Sequence, residues 1–368
     1  MQNITVIGIG RLGLGFALML ENSGYNVVGV DINHQYVSEL NNKQFTCNEP
    51  AYNELLQQCK NFKATTSLQD GISHSDIIFI IVQTPNSGGD RFYDHSILSG
   101  LLVKINKLKP VNKNLIIGCT VMPKYIDEVA NVLCSDCIDC HLSYNPEFVA
   151  QGDIINGFKS PDIILVGTNN KALCPIMEEI YGKMCENNPK FCFLSPLEAE
   201  ITKISINGFI TTKLSYANMI ADLCDNLHAN KDTVLRSIGS DSRIGNKYFR
   251  AGYSFGGPCF PRDTRALKQV MDQNGIFSGL LENTTSSNEW HIEYQTQQLM
   301  SESRETYKFE NVCYKENSQI PIIEESAKLK IAKKLAVRGK KIIICDTDEI
   351  ITEVKKEYGN LFTYQSNS

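Results

Sequence analysis

A short β-branched run, Ile4-Thr5-Val6-Ile7, leads into Gly8-Ile9-Gly10-Arg11-Leu12-Gly13. A helical pattern follows from Leu14 to Asn22, then Val27-Val28-Gly29-Val30 ending on Asp31. Strand, glycine turn, helix, strand and acid in that order leave few folds open. Runs of this kind make buried parallel strands, which need a helical crossover between them. The glycines have separate tasks: Gly8 makes the tight turn, Gly10 lets backbone approach a pyrophosphate, and Gly13 packs helix against strand. Asp31, about 20 residues past the turn, stands where a carboxylate bonds ribose hydroxyls and repels a 2′-phosphate. NAD is therefore the expected cofactor, held by Gly8, Gly10, Arg11, Leu12, Gly13 and Asp31; an inert glycine turn is the alternative. Arg11 lies inside the turn rather than after Asp31, so it does not shift the expectation to NADP.

The second constraint is Phe255-Gly256-Gly257-Pro258-Cys259-Phe260-Pro261-Arg262-Asp263, a cysteine between a paired-glycine turn and a carboxylate. The glycines let backbone approach a bound ligand, and Arg262 supplies a cation that favours thiolate. This reads as a nucleophile. The alternative is a structural thiol, although buried cysteines normally sit within apolar helices or strands.

A chain of 368 residues should hold two or three domains. Its formal net charge of −5 gives no basic footprint for nucleic acid. No apolar run reaches the ~18 residues that span a bilayer. Met1-Gln2-Asn3, followed at once by the first strand, leaves no room for a signal peptide. With that start, thirteen cysteines point to free thiols in a reducing cytoplasm. Cys134, Cys137 and Cys140, with His141 next, carry half of a metal-ligand spacing and no second pair. Adventitious thiols are expected there and no metal, a metal site being the alternative.

The expected fold class is α/β in three parts. Residues 1–195 form a Rossmann-type domain, with strands at Ile77–Val82, Leu115–Gly118 and Ile163–Gly167. A helix from Lys124 to Leu133 precedes a strand leading to Asn145-Pro146-Glu147. Residues 196–300 form a helical domain built on a long helix from Pro196 to Leu227, with a glycine-rich loop from Gly252 to Pro261. Residues 301–368 form a small Rossmann-like α/β unit. Its expected strands are Asn311–Tyr314, Lys341–Cys345 and Leu361–Tyr364, and its expected helices Glu324–Arg338 and Glu349–Tyr358.

The motifs, in order, resemble those of the nucleotide-sugar dehydrogenase family, closest to its UDP-glucose 6-dehydrogenase branch. The matching stretches are Val6-Ile7-Gly8-Ile9-Gly10, Asn48-Glu49-Pro50, Gln83-Thr84-Pro85, Cys119-Thr120-Val121-Met122-Pro123 and Asn145-Pro146-Glu147-Phe148. They continue with Glu200-Ile201-Thr202-Lys203 through Asn207, Asp241-Ser242-Arg243-Ile244-Gly245 and the cysteine loop. The resemblance implies a four-electron oxidation at C6 of the sugar, from alcohol to carboxylate, with two NAD reduced in turn. Attack by Cys259 on the aldehyde gives a thiohemiacetal, whose oxidation gives a thioester that water hydrolyses. Lys203 and Asn207, one helical turn apart, would stabilise the oxyanion. Glu147 would be the base or water-orienting carboxylate, assisted by Asp263 and Thr120. Each has a plainer reading: a surface lysine, a helix-face amide, helix-terminal carboxylates and a strand-closing threonine. Thr84, Pro85, Thr120 and Arg262 join the expected cofactor set. The expected substrate contacts are Phe148, Val149, Lys203, Asn207, Arg243, Lys247, Tyr248, Phe249, Arg250, Phe255, Gly256, Tyr314 and Lys315. A homodimer is expected, since the family's long helix is usually a dimer core. GDP-mannose or a UDP-N-acetylhexosamine as substrate, or a non-catalytic nucleotide-sugar or NAD binder, stay open as alternatives.

Three positions depart from the family pattern. Gln151 stands where a carboxylate is usual, and Ile163 where an arginine is common. Glu324-Glu325-Ser326 replaces Arg-Glu-Ser, which puts a negative charge where a cation would help bind the cofactor. The third part is also short, with only 22 residues after Asp346.

Overall fold

The computed structural model describes residues 2–315 and 320–367. The chain divides into two compact units, Met1–Lys203 and Ile204–Ser368.

The first unit is built on an eight-stranded sheet in the order β3-β2-β1-β4-β5-β6-β7-β8. The strands are β1 Asn3–Ile7, β2 Asn26–Val30, β3 Phe62–Thr65, β4 Ile77–Ile80, β5 Asn114–Ile117, β6 His141–Tyr144, β7 Ile163–Gly167 and β8 Lys190–Leu194. All pairs are parallel except β6 with β7, which meet antiparallel at Tyr144 and Gly167. Asn145 reinforces that junction, its amide donating to the Leu165 carbonyl at 2.9 Å. The order reverses at β1 and β4, which leaves a crevice at the carboxyl ends of these two strands, the usual ligand position in open α/β sheets.

Two apolar layers cover the sheet. Phe16, Leu20, Phe79, Phe158 and Tyr181 belong to one, and Ile80, Leu102, Ile117 and Tyr125 to the other. Helix Arg11–Asn22 is buried from Gly13 to Leu20, the pattern of an element lying against a sheet. The expected helix over 124–133 starts instead as a π-helical segment, Tyr125–Ala130, with one short α-turn after it. Lys124 precedes it with φ +77°.

The second unit opens on the long helix, Pro196–Asn226, whose first residues belong to the first unit. Helices Lys231–Gly239, Phe260–Gln273 and Gly279–Ser301 follow. The non-helical stretch therefore runs from Ser240 to Cys259, wider than Gly252–Pro261 at its start, and Pro261 sits in the first turn of the next helix. Proline suits that place, because the first-turn N–H has no intrahelical partner.

A three-stranded parallel sheet in the order β11-β10-β9 completes this unit: β9 Thr306–Glu310, β10 Lys341–Asp346 and β11 Thr363–Ser366. The first of these corrects the expected strand at 311–314. Thr306–Glu310 alternates exposed and buried residues, with Tyr307 and Phe309 inside, whereas the apolar Val312 and Cys313 are buried just beyond the strand end. There Val312 N–H donates to Asp346 at 2.8 Å instead of to a ladder. Helix Ala327–Val337 starts later than expected because Ser326 caps it.

Along the long helix Phe209, Tyr216, Met219 and Leu223 are exposed, as is Leu227 just past its end. Their spacing of three to seven residues puts them on one stripe. No helix among the described residues is long and apolar enough to cross a membrane.

A Cβ at Gly13 would collide with the Gly8 carbonyl. Gly13→Ala is therefore expected to cost about 1–3 kcal/mol and to lower the melting temperature. Calorimetric titration should also show weaker NAD binding. Unchanged melting and unchanged affinity together would contradict this packing.

Candidate active site

In the first unit the expected cofactor residues gather at the carboxyl ends of neighbouring strands. Gly8 follows β1 with φ +88°, which favours glycine, and its N–H bonds the Val30 carbonyl at 2.8 Å. A side chain at Gly10 would meet nothing within 4 Å, so this part of the turn has room for a ligand. The turn is braced from outside by two phenols: Tyr36 donates to the Ile9 carbonyl at 2.8 Å and Tyr52 to the Arg11 carbonyl at 2.6 Å. The turn opens a helix, so free N–H groups and the positive dipole end point toward an anion. This geometry fits a dinucleotide. Asp31 follows β2 directly, its carboxylate accepting the Asn33 N–H at 3.0 Å. Leu12 packs against the core beneath the turn. Thr84 donates to the Thr120 carbonyl at 3.0 Å, which ties the loop after β4, Pro85 included, to the loop after β5.

Arg11 donates to Gln151 at 3.0 Å. The amide accepts this hydrogen bond without bringing a charge of its own.

Glu147 follows β6. Burial pushes its carboxyl up to about 8, against the opposing pull of Lys203 and of a hydrogen bond from Tyr181 at 3.4 Å. Lys203, itself buried, donates to the Glu147 carbonyl and lies 4.1 Å from the centre of the Phe148 ring. Lysine, carboxyl and aromatic ring thus form one cluster. Val149 turns elsewhere, its side chain packing at Gly157.

Glu200, one turn before Lys203, is fully buried and accepts from the N–H groups of Lys124 at 2.6 Å and Ile126 at 2.8 Å. Burial pushes it up to about 7, against those two bonds. It fastens the helix carrying Lys203 to the segment that follows Thr120. The motif had contained it without revealing this task.

In the second unit Cys259 is exposed and stands at the N-terminus of helix Phe260–Gln273. A helix N-terminus favours negative charge, which a thiol acting as a nucleophile would need. Asp263, in the first turn, is buried and accepts from the Asn207 amide at 2.6 Å. That pairing supports neither a free base nor a helix cap for Asp263. Arg262 is partly buried beside it.

The glycine pair before the cysteine answers to close approach. A Cβ on Gly256 would strike the Glu325 carbonyl, and one on Gly257 the Tyr314 ring; Gly257 N–H also donates to the Glu324 carbonyl at 3.0 Å. Tyr314 therefore borders the cysteine loop, while Lys315 next to it is exposed. Glu325 is engaged by Arg265 at 3.0 Å and Lys330 at 2.7 Å, and Glu324 is exposed.

Asn288 clamps the loop further back, accepting from Phe255 N–H at 2.9 Å and donating to Phe255 O at 3.0 Å. Asn218 accepts from Gly252 N–H at 3.1 Å. Polar side chains at helical spacing on otherwise buried faces are the sequence signal for such clamps, and for Asn288 it was missed.

The expected sugar and phosphate contacts divide. Tyr248, Arg250 and Lys247 are exposed. Arg243 is exposed but doubly bonded to Asp241, at 3.0 and 2.7 Å. Phe249 is instead buried in a small core with Ala217, Ala221 and Leu235, and Phe255 is buried too. Both stood among the expected substrate contacts, and the structure buries both side chains.

Burial pushes the Cys134 thiol up to about 12 and that of Cys137 to about 11, which disfavours the thiolates a metal would need. Among the described residues no group of three or more metal-ligating side chains is placed to hold an ion.

The sequence matches the NAD-binding-domain model of the UDP-glucose/GDP-mannose dehydrogenase family over residues 2–185, and that family's central-domain model over residues 197–290. The chain belongs to this family. It is thus an NAD-dependent nucleotide-sugar dehydrogenase. The dehydrogenase is 29% identical over 318 residues to a UDP-glucose 6-dehydrogenase of Rickettsia bellii, across 85% of this chain and 72% of the relative. A UDP-glucose 6-dehydrogenase of Rickettsia felis is 31% identical over 293 residues, across 78% of this chain and 64% of the relative. The chain therefore spans only about two-thirds of that relative's length. In fold it is similar to a UDP-glucose dehydrogenase from Pyrobaculum islandicum, with a TM-score of 0.89 at 24% identity, covering 99% of this chain and 86% of the other.

Glu147 and Glu200 hold protons in the folded dehydrogenase that they would release on unfolding. Folded values above the ordinary 4.5 mean their stabilising contribution is whole below that pH and lost as pH rises toward about 7 for Glu200 and about 8 for Glu147. Glu147→Gln should therefore gain melting temperature relative to the parent chain between pH 5 and pH 9. A difference that stays constant over that range would refute the burial of this carboxyl.

Proposed function

We propose that this chain oxidises C6 of UDP-glucose from alcohol to carboxylate in two NAD-linked steps, with Cys259 as the covalent nucleophile. The observation that carries the reading is an exposed thiol at a helix N-terminus, in a loop whose glycines are required by close backbone approach. UDP-glucose is preferred because the relatives named above carry that specificity in their names. GDP-mannose, which the family name also includes, is the second reading.

NAD, when bound, supplies the hydride acceptor for both oxidations, held by Gly8, Gly10, Arg11, Leu12, Gly13 and Asp31 with Thr84, Pro85 and Thr120. The first oxidation removes a hydride from C6 and a proton from its hydroxyl, leaving an aldehyde. The Cys259 thiolate then adds to that carbon. The resulting thiohemiacetal alkoxide loses a second hydride and becomes a thioester. Water attacks the acyl carbon, the C–S bond breaks, and thiolate and carboxylate are released. In this reading Lys203 and Asn207 stabilise the oxygen anion at C6. Glu147, whose carboxyl burial pushes up to about 8, exchanges a proton with the reacting groups. Asp263 fixes Asn207 through their mutual hydrogen bond. Phe148, Tyr248, Arg250, Tyr314 and Lys315 are the proposed nucleotide-sugar contacts. The division into a Rossmann domain, a helical domain over 196–300 and a small C-terminal domain is part of the same proposal.

The exposed stripe on the long helix supports a homodimer, since an apolar row of this length is normally covered. Light scattering should give twice the chain mass for the parent, and Leu223→Glu should shift it toward the monomer. A monomeric parent chain would exclude this arrangement.

Cys259→Ala should remove carboxylate formation from UDP-glucose, by about 10³-fold or more for loss of a covalent nucleophile. NAD binding should persist in this variant. The measurement is NADH release from a panel of nucleotide sugars, with NAD affinity by fluorescence. Carboxylate formation at the parent rate in Cys259→Ala would rule out the covalent route, and turnover of GDP-mannose alone would favour the second reading.

A further inference from the structure

We propose that His291 is a positioning residue for Cys259: doubly protonated and held between Asp222 and the Gly252 carbonyl, it anchors the start of the loop that ends at the thiol. The inference rests on the reading of Cys259 as nucleophile.

His291 lies on helix Gly279–Ser301 and is 5% exposed. Its Nδ1 is 2.9 Å from an Asp222 carboxylate oxygen, and its Nε2 is 2.9 Å from the carbonyl oxygen of Gly252. Both partners are acceptors, whereas a neutral imidazole has a single N–H. A neutral ring would set a nitrogen lone pair against an oxygen lone pair at one of the two contacts. The ring that satisfies both carries two N–H groups and a positive charge, matched by the Asp222 carboxylate.

The other groups around the ring agree with that state. On the long helix, Asp225, three residues after Asp222, is paired with Lys231 at 2.8 Å. On the ring's own helix, the Tyr294 hydroxyl donates to the Asp222 backbone carbonyl at 3.4 Å, and the Gln295 amide donates to Gly252 O at 3.3 Å. From the loop side, Tyr253 carries the Lys328 ammonium 5.2 Å from its ring centre.

Gly252 is gripped at both backbone groups, its carbonyl by His291 and its N–H by Asn218. Asn288, one turn before His291, holds Phe255 at both of its backbone groups, and Ser254 donates to the Asn288 carbonyl at 2.7 Å. One face of a single helix thereby fixes the path into Gly256, Gly257 and Cys259. Loss of the ring's second proton makes one contact repulsive and loosens the first anchor. Asp222→Asn separates this from simple packing. An asparagine can donate its own N–H to Nδ1, so a neutral ring then satisfies every partner and the charge is no longer needed.

The test has two arms on the full chain. With nitrogen-15-labelled histidine, six ring systems contribute, and His291→Gln assigns the relevant pair by difference. Both ring nitrogens of His291 should show protonated shifts at neutral pH, and a neutral ring would overturn the proposal. In the second arm, kcat of Asp222→Asn relative to the parent is followed from about pH 6 to pH 9; the ratio cancels titrations common to both. It should rise about threefold or more across that range, the scale of one lost hydrogen bond. A flat ratio would mean that His291 only packs. If Asp222→Asn does not fold, the nitrogen shifts alone decide the proposal. If no sugar is oxidised at all, the reading of Cys259 fails while the shifts still report on the ring.

Discussion

The two hydrogen bonds between the Asn288 amide and the backbone of Phe255 are the contact on which the cysteine loop depends. Ser254 and Phe255 are buried without belonging to a helix or strand, so their backbone groups would be left unsatisfied without side-chain partners. An asparagine can donate and accept at once, which lets it replace a neighbouring strand over one residue. With that link made, the chain can run close to the Glu324–Glu325 backbone and the Tyr314 ring, where only glycines fit. Only after this does it release Cys259 at the head of a helix. The thiol's exposure and its place at a dipole end are results of a rigid approach.

The first unit handles the opposite problem, carboxyls kept away from water. Glu147 and Glu200 are both pushed toward neutrality by burial, yet they are held differently. Glu200 spends its oxygens on two backbone N–H groups, so it is a fastener. Glu147 keeps a hydrogen bond from Tyr181, and the neighbouring Lys203 bonds its backbone carbonyl. That leaves it better suited to exchange a proton. Two carboxyls, one fully buried and one half-buried, thus take different work from their partners.

Much of the fold was legible because the first unit follows strict rules: β-branched runs, a glycine turn and an acid at the next strand end give a parallel sheet. The long helix was read to within a residue of its end, since nothing in 196–226 interrupts it. The strand at Thr306–Glu310 was less legible because only Tyr307 and Phe309 face inward, and a continuous apolar run drew attention downstream. Phe249 and Phe255 show a similar limit in the site. An aromatic in a polar loop reads as a ligand contact, but whether its face is free depends on distant residues, here Ala217 and Leu235 for Phe249. Asn288 and His291 were invisible for the same reason: their partners lie over thirty residues away. The charge change at Glu324-Glu325 was legible as a departure, but not its outcome, in which Glu325 is bound by Arg265 and Lys330 while Glu324 stays exposed.

The central claim is that one chain carries a sugar through two oxidations without releasing the aldehyde. The most direct measurement is the molar ratio of NADH formed to UDP-glucose consumed when the sugar is limiting. A ratio of about two, with uronate as the product, is predicted because each hydride removed from C6 reduces one NAD. A ratio of about one, with an aldehyde or another two-electron product in solution, would contradict the account.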